Sequence, residues 1–313
     1  MTQAIQYEQL GGPEVLSLRE VELPATGPDE IRIRVEAAGV NPVDGKLRSG
    51  LRASPPFTGP RGTGHDGAGI VTEVGSEVDG FRVGDAVAFG NAHGAYATDV
   101  IVAAIDAAPR PAAVSASAGA ALGIPAGTAY QTLRSLAVSA NDTVLVHGGS
   151  GSVGQFLIQY ARLLGATVIA TSSERRADVV RALGATQVTY GPGLIERVRA
   201  IVPDGVSVAI DAAGTDEANE ASVALVHDRS RAATLVRGAD AAGWGIRSFR
   251  GGGPSPLTAQ EEAWRREALP LTLSLLAAGA FQVELGASVP LADAGKAQEA
   301  VDAGTDGKVV VVP

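Results

Sequence analysis

Glycine recurs every third residue in the segment from His147 to Gly154, which reads His-Gly-Gly-Ser-Gly-Ser-Val-Gly. Glycine lets a backbone turn tightly and approach a pyrophosphate where a helix begins. The spacing G-x-x-G-x-x-G differs from the strict G-x-G-x-x-G, and an ordinary tight strand-to-helix connection is the alternative. Because a predicted strand precedes the segment and a predicted helix follows it, we predict a dinucleotide site. Its predicted contacts are Gly148, Gly149, Ser150, Gly151, Ser152, Val153 and Gly154.

The tip of the following strand decides which dinucleotide is bound. A carboxylate there would accept hydrogen bonds from an NAD ribose, whereas a cation would pair with the NADP 2′-phosphate. Ser172 stands where NAD enzymes have an acid, and Ser173, Arg175 and Arg176 follow within reach of a phosphate. These residues favour NADPH. Glu174 is the counter-argument, because a shift of the loop by one turn would make it the ribose acid and leave both arginines solvated.

Two different patterns identify the elements that must position these residues. Apolar and charged residues alternate strictly over residues 30–37, which is the period of a half-buried strand. Short strand-like segments follow at residues 69–74 and 86–89, separated by glycine-rich turns. The first third of the chain is therefore predicted to form a small, barrel-like β domain.

Strands and helices alternate from about Gly123 onward. Residues 143–147 and 167–171 have the pattern of buried strands, and residues 153–164 between them have that of a helix. This alternation predicts an α/β fold with a doubly wound parallel sheet. The remaining predicted elements are a helix at 175–183, strands at 187–189, 206–211 and 232–236, a loop at 251–256, a helix at 259–278 and a strand at 307–313.

The composition limits the class of protein. A length of 313 residues favours two domains, and a net charge of −9 gives no basic surface for nucleic acid. The chain has no cysteine, so it has no disulfide framework and no thiol nucleophile. No signal peptide or membrane span is predicted, and we expect a cytoplasmic location without a membrane partner.

Five stretches carry a resemblance to a known family: Ala-Ala-Gly-Val-Asn-Pro-Val-Asp at 37–44, Gly-His-Asp-Gly-Ala-Gly-Ile-Val at 64–71, Gly-Asp-Ala-Val at 84–87, Gly-Thr-Ala-Tyr at 127–130 and the glycine turn ending at Gly154. Together they resemble the zinc-independent medium-chain dehydrogenases/reductases of the quinone oxidoreductase (zeta-crystallin-like) family. The resemblance covers essentially the whole chain and implies a GroES-like, β-rich catalytic domain at 1–122 that is completed by 280–313. It also implies an inserted Rossmann NADPH-binding domain at 123–279, and a homodimer, for which the strand at 232–236 could supply an edge.

The resemblance also assigns residues to the site. It places Asn41 at the junction of nicotinamide and substrate, where the amide could orient an acceptor carbonyl; a turn residue before Pro42 is the alternative. Thr128 and Tyr190 match positions that touch the cofactor, and Lys308 matches one near its phosphate. Tyr130 is as consistent with core packing as with cofactor contact.

Lys46 and Arg52 depart from the family pattern, because many quinone reductases have tyrosines at the matching positions. Two cations would suit an anionic or strongly polarised acceptor, and Lys46 could deliver a proton after hydride transfer. Two solvated cations on a loop are the alternative.

We predict no metal ion at this site. Zinc-dependent relatives use two cysteines and a histidine, of which this chain retains only His65. We interpret His65 as a loop or core histidine that is hydrogen-bonded to backbone, and Asp44, three residues after Asn41, as structural.

The sequence therefore predicts an NADPH-dependent oxidoreductase that transfers a hydride to a quinone or another conjugated carbonyl. An enoyl reductase acting on an α,β-unsaturated ketone, acid or thioester is the alternative within the same class. An NADPH-binding redox sensor or structural protein without turnover is the alternative outside it.

Overall fold

The computed structural model describes residues 1–249 and 256–313. The chain divides into two compact units, of which unit 1 contains Met1–Ile124 and Arg266–Pro313 and unit 2 contains Pro125–Arg265. The sequence predicts the second boundary at 279/280, whereas the structure places it between Arg265 and Arg266, inside a long helix. Arg266 belongs to unit 1, where it bonds to Asp106. The predicted loop at 251–256 lies, apart from Pro256, outside the described residues.

The described strands alternate with turns in the first part of the chain and with helices in the middle. In chain order they are β1 (Thr2–Tyr7), β2 (Ser17–Val21), β3 (Glu30–Gly39), β4 (Arg61–Gly62), β5 (Asp66–Val74), β6 (Ala86–Phe89), β7 (Asp99–Ala103), β8 (Ala107–Pro109), β9 (Thr143–His147), β10 (Thr167–Ser172), β11 (Thr186–Thr189), β12 (Val208–Asp211), β13 (Ala232–Thr234), β14 (Arg247–Ser248), β15 (Leu285–Pro290) and β16 (Lys308–Val312).

Most of the described helices follow the β-rich part of the chain. Across the two described ranges, none of them is both long and apolar enough to cross a membrane. In chain order they are α1 (Pro42–Ser49), α2 (Ala116–Ala120), α3 (Gly123–Ser135), α4 (Ser152–Leu163), α5 (Ala177–Ala182), α6 (Leu194–Ile201), α7 (Asp216–Leu225), α8 (Ala241–Trp244), α9 (Ala259–Ala277) and α10 (Ala294–Asp302).

Unit 1 is built around a seven-stranded sheet. Its order is β15-β16-β3-β5-β6-β8, with β7 also paired to β3, and a three-stranded sheet β2-β1-β4 accompanies it. Ile31, Ile33 and Val35 on β3 are buried, whereas the charged residues between them are not, which confirms the alternation read from the sequence. The C-terminal strand β16 pairs with β3 through Val310 and Val311, so the end of the chain is part of this unit.

Unit 2 contains a six-stranded sheet in the order β11-β10-β9-β12-β13-β14, with every pairing parallel. This is the Rossmann order 3-2-1-4-5-6, in which the direction of winding reverses beside the first strand, here β9. The α/β doubly wound prediction is confirmed. The prediction that residues 232–236 supply a sheet edge is wrong, because β13 lies between β12 and β14 and its backbone is paired on both sides.

Candidate active site

The glycine turn joins β9 to α4 at the reversal point of the sheet. Gly148 has a φ of +74°, which favours glycine, and its N–H donates to Thr171 Oγ1 at 3.2 Å. A Cβ on Gly149 would lie 2.7 Å from the Ala170 side chain, and one on Gly154 would overlap the carbonyl oxygen of Gly148. Glycine at these three positions therefore lets the turn close against the sheet.

The beginning of α4 is the part of this turn that suits an anion. Gly151 is the exposed N-cap residue, and the described residues provide no side-chain cap for it. The first N–H groups of a helix have no partner within the helix and carry the positive end of its dipole. Ser152 and Val153 occupy the first turn, with Ser150 just before the cap, so the backbone here fits a pyrophosphate.

The tip of β10 differs in detail from the prediction. Ser172 ends the strand, but it is buried and its hydroxyl donates to the carbonyl oxygen of Ser173 at 2.9 Å. A short 3-10 turn over Glu174–Arg176 follows, which leaves Arg175 exposed and Arg176 buried. Arg176 Nη2 lies 3.4 Å from the carbonyl oxygen of Ser150. The structure thus brings Arg176 to the glycine turn.

Two further side chains surround this strand tip. Glu174 Oε2 accepts a hydrogen bond from Thr189 Oγ1 at 2.9 Å, so one carboxylate oxygen is engaged within unit 2. Tyr190 follows β11, and its N–H donates to the carbonyl oxygen of Ser172 at 3.3 Å. Tyr190 is 55% exposed. Tyr190 therefore stands beside the predicted 2′-phosphate residues with its ring open to a ligand.

The α3 residues that were assigned to the cofactor are largely buried. Thr128 Oγ1 accepts a hydrogen bond from Arg265 at 3.0 Å. Tyr130 packs against Tyr160 with ring centroids 5.2 Å apart, and its hydroxyl accepts from Arg134 at 2.9 Å. Core packing is therefore the observed role of Tyr130, while the cofactor contact of Thr128 stays a prediction.

His147 and Asp211 are functional candidates that the sequence reasoning missed. His147 ends β9 directly before the glycine turn, and burial lowers its pKa to about 4 despite the nearby charge of Asp211. Asp211 Oδ1 accepts from the N–H groups of Ala213 and Gly214 at 2.9 and 2.8 Å. It thereby fixes the loop that faces Gly148, so both residues shape the rear of the turn.

In unit 1, Asn41 lies in a buried polar cluster. Its Nδ2 donates to Asp66 Oδ2 at 2.9 Å and to the carbonyl oxygen of Gly39 at 3.3 Å, and its Oδ1 accepts from Lys308 Nζ. Both amide protons are thus engaged, and Asn41 is 2% exposed. The structure therefore does not support the prediction that this amide donates to an acceptor carbonyl.

Lys308 also differs from its prediction. It is buried in unit 1, bonded to Asn41 instead of standing open to a cofactor phosphate. Burial lowers the pKa of Lys308, while the charges of Asp66 and Asp44 act to raise it. Conversely, burial raises the pKa of Asp66 and the charge of Lys308 opposes that rise. The cluster thus buries opposite charges close together, and their attraction offsets part of what burial costs each charged form.

Asp44 organises the same cluster from the first turn of α1. One carboxylate oxygen, Oδ2, accepts from the N–H of Asn41 at 2.9 Å and from the Tyr96 hydroxyl at 2.8 Å. The other, Oδ1, is 2.6 Å from His65 Nδ1. The interpretation of Asp44 as structural is confirmed, because its carboxylate caps the beginning of α1. The interpretation of His65 is corrected, because its partner is a buried carboxylate and not the backbone.

The two cations that depart from the family pattern lie close to this cluster in the chain. Lys46 is exposed on α1, and its carbonyl oxygen accepts from the N–H of Arg52 at 2.9 Å. Arg52 is half-buried, and its charge acts to lower the pKa of His65. The structure therefore brings Arg52 near His65, while Lys46 faces solvent.

Known proteins share the fold and both domains of this chain. The alcohol dehydrogenase GroES-like domain matches residues 27–132, and the zinc-binding dehydrogenase domain matches residues 152–240. Together these matches define the medium-chain dehydrogenase/reductase class. Quinone oxidoreductase 1 of Escherichia coli is 32% identical to this chain over 100% of both. The quinone oxidoreductase of Pseudomonas aeruginosa is 36% identical over 69% of this chain and 68% of its own.

A solved Escherichia coli quinone oxidoreductase complexed with NADPH has a TM-score of 0.84 to this chain, with 28% identity and 100% of each chain covered. The chain belongs to the quinone oxidoreductase family, as the sequence motifs predicted.

The donor set of this chain does not fit zinc, although one matching domain is named for it. There is no cysteine in the sequence. Within residues 1–249 and 256–313, no three His, Asp or Glu side chains are placed to hold a metal ion together. Zinc sites use three or four such donors, which these two ranges do not bring together.

Proposed function

We propose that this chain transfers a hydride from NADPH to a quinone or another conjugated carbonyl, without a metal ion. The observation that carries the proposal is the glycine-lined, uncapped beginning of α4 at the reversal point of a Rossmann sheet. Similarity over the whole chain to quinone oxidoreductase 1 of Escherichia coli supports the choice of reaction. When bound, NADPH supplies the hydride.

The cofactor is held by the backbone of the glycine turn and by the tip of β10. Backbone N–H groups of Ser152, Val153 and Gly154 bind the pyrophosphate beside Gly151, and Arg176 steadies Ser150 at the beginning of the turn. Arg175 supplies the charge for the 2′-phosphate, with Ser173 and the exposed ring of Tyr190 beside it. Ser172 is uncharged, so no carboxylate at the strand tip repels the 2′-phosphate. Its own hydroxyl donates to the carbonyl oxygen of Ser173 and does not face the ligand.

The acceptor is taken up by unit 1 at the polar cluster. Asn41 acts there as the residue that holds Lys308 and Asp66 in place, and the buried ammonium of Lys308 favours negative charge that develops on an acceptor oxygen. Lys46 and Arg52 add positive charge around the cluster. These cations also favour a second candidate, the reduction of an α,β-unsaturated acid or thioester.

A panel of acceptors separates these functions. Purified protein is mixed with NADPH and a series of quinones, enones and enoyl thioesters, and kcat/KM is compared. The highest values with quinones support the main proposal, and the highest with enoyl thioesters support the second candidate. Tight NADPH binding without oxidation by any acceptor would instead indicate a binding protein without turnover. Treatment with a chelator should leave the rate unchanged, and loss of activity on removal of stoichiometric zinc would contradict the metal-free scheme.

We also propose a homodimer, on the basis of the family resemblance. Light scattering after size exclusion should give twice the mass of the 313-residue chain. A monomer at micromolar concentration would contradict this part of the proposal.

A further inference from the structure

His65 holds an imidazole between a buried carboxylate and solvent. Its Nδ1 lies 2.6 Å from Asp44 Oδ1, and its side chain is 22% exposed, whereas that of Asp44 is fully buried. Among the described residues, no hydrogen bond is made by the second ring nitrogen, Nε2. The imidazole is therefore fixed at one nitrogen and available to a ligand at the other.

The carboxylate that holds His65 is itself held. Asp44 Oδ2 accepts from the Asn41 N–H and from the Tyr96 hydroxyl, and Asp44 Oδ1 is paired with the imidazole. A carboxylate with three donors cannot rotate away without losing two other hydrogen bonds. The Asp44–His65 pair is thus a rigid arrangement that keeps a proton on Nδ1 and directs Nε2 outward.

The charges around His65 come from several elements. Asp44 on α1 and Asp66 on β5 are negative, Arg52 beyond α1 is positive, and the exposed His93 ring stands 6.4 Å from the His65 ring. Burial by itself would lower the pKa of His65, but the hydrogen bond and charge of Asp44, with the charge of Asp66, raise it above the ordinary value. His65 therefore keeps its second proton to a higher pH than a typical histidine.

We propose that His65 is the proton donor of the reduction, with Nε2 delivering the proton to the acceptor oxygen and Asp44 acting as its positioning residue. The proposal rests on the proposed function, because it requires the acceptor to bind at the cluster of Asn41, Asp44 and Asp66. It replaces the earlier expectation for Lys46, whose exposed side chain makes no hydrogen bond within the described part of the chain.

The proton balance of the reaction requires such a group. Hydride transfer moves two electrons and one proton from NADPH to the quinone, which leaves NADP⁺ and the quinol monoanion. The monoanion then takes one proton from His65 Nε2, giving the neutral quinol and a neutral imidazole. Solvent returns the proton through the exposed part of the ring. For an enone the same proton goes to the enolate that forms when hydride adds to the β-carbon.

The test compares His65→Gln with a matched control, His93→Gln, which removes the neighbouring exposed histidine that has no carboxylate partner in the described structure. Both variants are first checked for thermal unfolding and for the Kd of NADPH, which should be unchanged. Wild-type kcat should fall as pH rises through the pKa of His65, because only the protonated form donates. His65→Gln should lose this pH dependence, and His93→Gln should retain it.

A series of quinones gives a readout that a structural role of His65 would not move. Loss of a general acid typically lowers the rate by about 10²–10⁴-fold. We expect His65→Gln to lower kcat by about 10²-fold for quinones whose quinols are weak acids. The loss should be much smaller for electron-poor quinones, whose quinol anions need no donor. Equal losses across the series would overturn the proposal.

The outcomes distinguish this inference from the proposed function. If wild-type protein reduces neither quinones nor enones, the proposed function fails. If it reduces them and His65→Gln keeps the wild-type rate and pH profile, only the role of His65 fails. If His65→Gln does not fold, the wild-type profile decides: single-turnover rates that do not change between about pH 5 and pH 9 overturn the proposal.

Discussion

At the scale of single residues, the two units use charge in different ways. Unit 1 buries Lys308, Asp66 and Asp44 together, so the attraction between opposite charges offsets part of the effect of burial. The strand tip of unit 2 keeps Arg175 and Glu174 exposed, where a charged ligand can compete with water. A buried cluster suits the development of charge during a reaction, whereas an exposed arginine suits recognition of a phosphate that arrives from solution.

The choice between NADPH and NADH is the prediction that belongs to this scale. A hydrogen bond to a charged group contributes about 1.5–3 kcal/mol, or roughly 10- to 150-fold in affinity. Arg175→Ala should therefore raise the Kd of NADPH by that factor and leave the Kd of NADH nearly unchanged, as measured by fluorescence titration. Arg176→Ala should weaken both dinucleotides together, because Arg176 contacts the glycine turn through Ser150. A wild-type preference for NADH, or loss of selectivity in Glu174→Ala instead of Arg175→Ala, would assign Glu174 to the ribose.

At the scale of elements, the join between β9 and α4 shows what each glycine does. Gly154 faces the Gly148 carbonyl so closely that a Cβ would overlap it, whereas a Cβ on Gly151 would meet only that oxygen, at 3.4 Å. Glycine at position 154 is needed for the helix to pack on the sheet. Glycine at position 151 is needed for a ligand to approach the helix, so one position serves folding and the other serves binding.

Alanine at these two positions should give different results. Gly154→Ala forces α4 away from the turn and should lower the free energy of unfolding by about 1–3 kcal/mol, measured by urea denaturation. Gly151→Ala should unfold like wild type, but its methyl group stands in the path of the pyrophosphate. We expect the Kd of NADPH to rise at least about tenfold, which corresponds to 1.4 kcal/mol. Unchanged binding in Gly151→Ala would remove the beginning of α4 from the site.

The same scale shows what local sequence patterns can and cannot predict. The alternation in β3 and the strand-turn-helix pattern around Gly148 depend on neighbours in the chain, and both were predicted from sequence. The 3-10 turn over Glu174–Arg176, which buries Arg176 and exposes Arg175, was not predicted. A periodic pattern does not distinguish a single 3-10 turn from the first turn of an α-helix. The bonds of Asn41 to Lys308 and of His65 to Asp44 join residues far apart in sequence.

At the scale of the whole molecule, each unit carries a histidine whose protonation acts on stability in the opposite sense. The pKa of His65 is raised, so its contribution is present below the ordinary pKa of histidine and is lost as pH rises through the folded value. The pKa of His147 is lowered from 6.5 to about 4. Its contribution is present above pH 6.5 and is lost as pH falls from 6.5 toward 4, because the unfolded chain then binds a proton that buried His147 does not.

Acidification of the cofactor-free protein should therefore destabilise unit 2 first. We expect the melting temperature of wild-type protein to fall between pH 6.5 and pH 4 and that of His147→Leu to fall less, because a buried leucine takes up no proton on unfolding. Little stability is lost at neutral pH, since Nε2 of His147 has no hydrogen-bond partner within the described residues. The control is His227→Gln at an exposed histidine of the same unit, which should follow wild type. The same slope in His147→Leu as in wild type would show that protonation of His147 does not limit stability in acid.

A further loss should begin below pH 3.8 in all three proteins, because Arg231 lowers the pKa of Asp142 to about 2 and acid removes that ion pair.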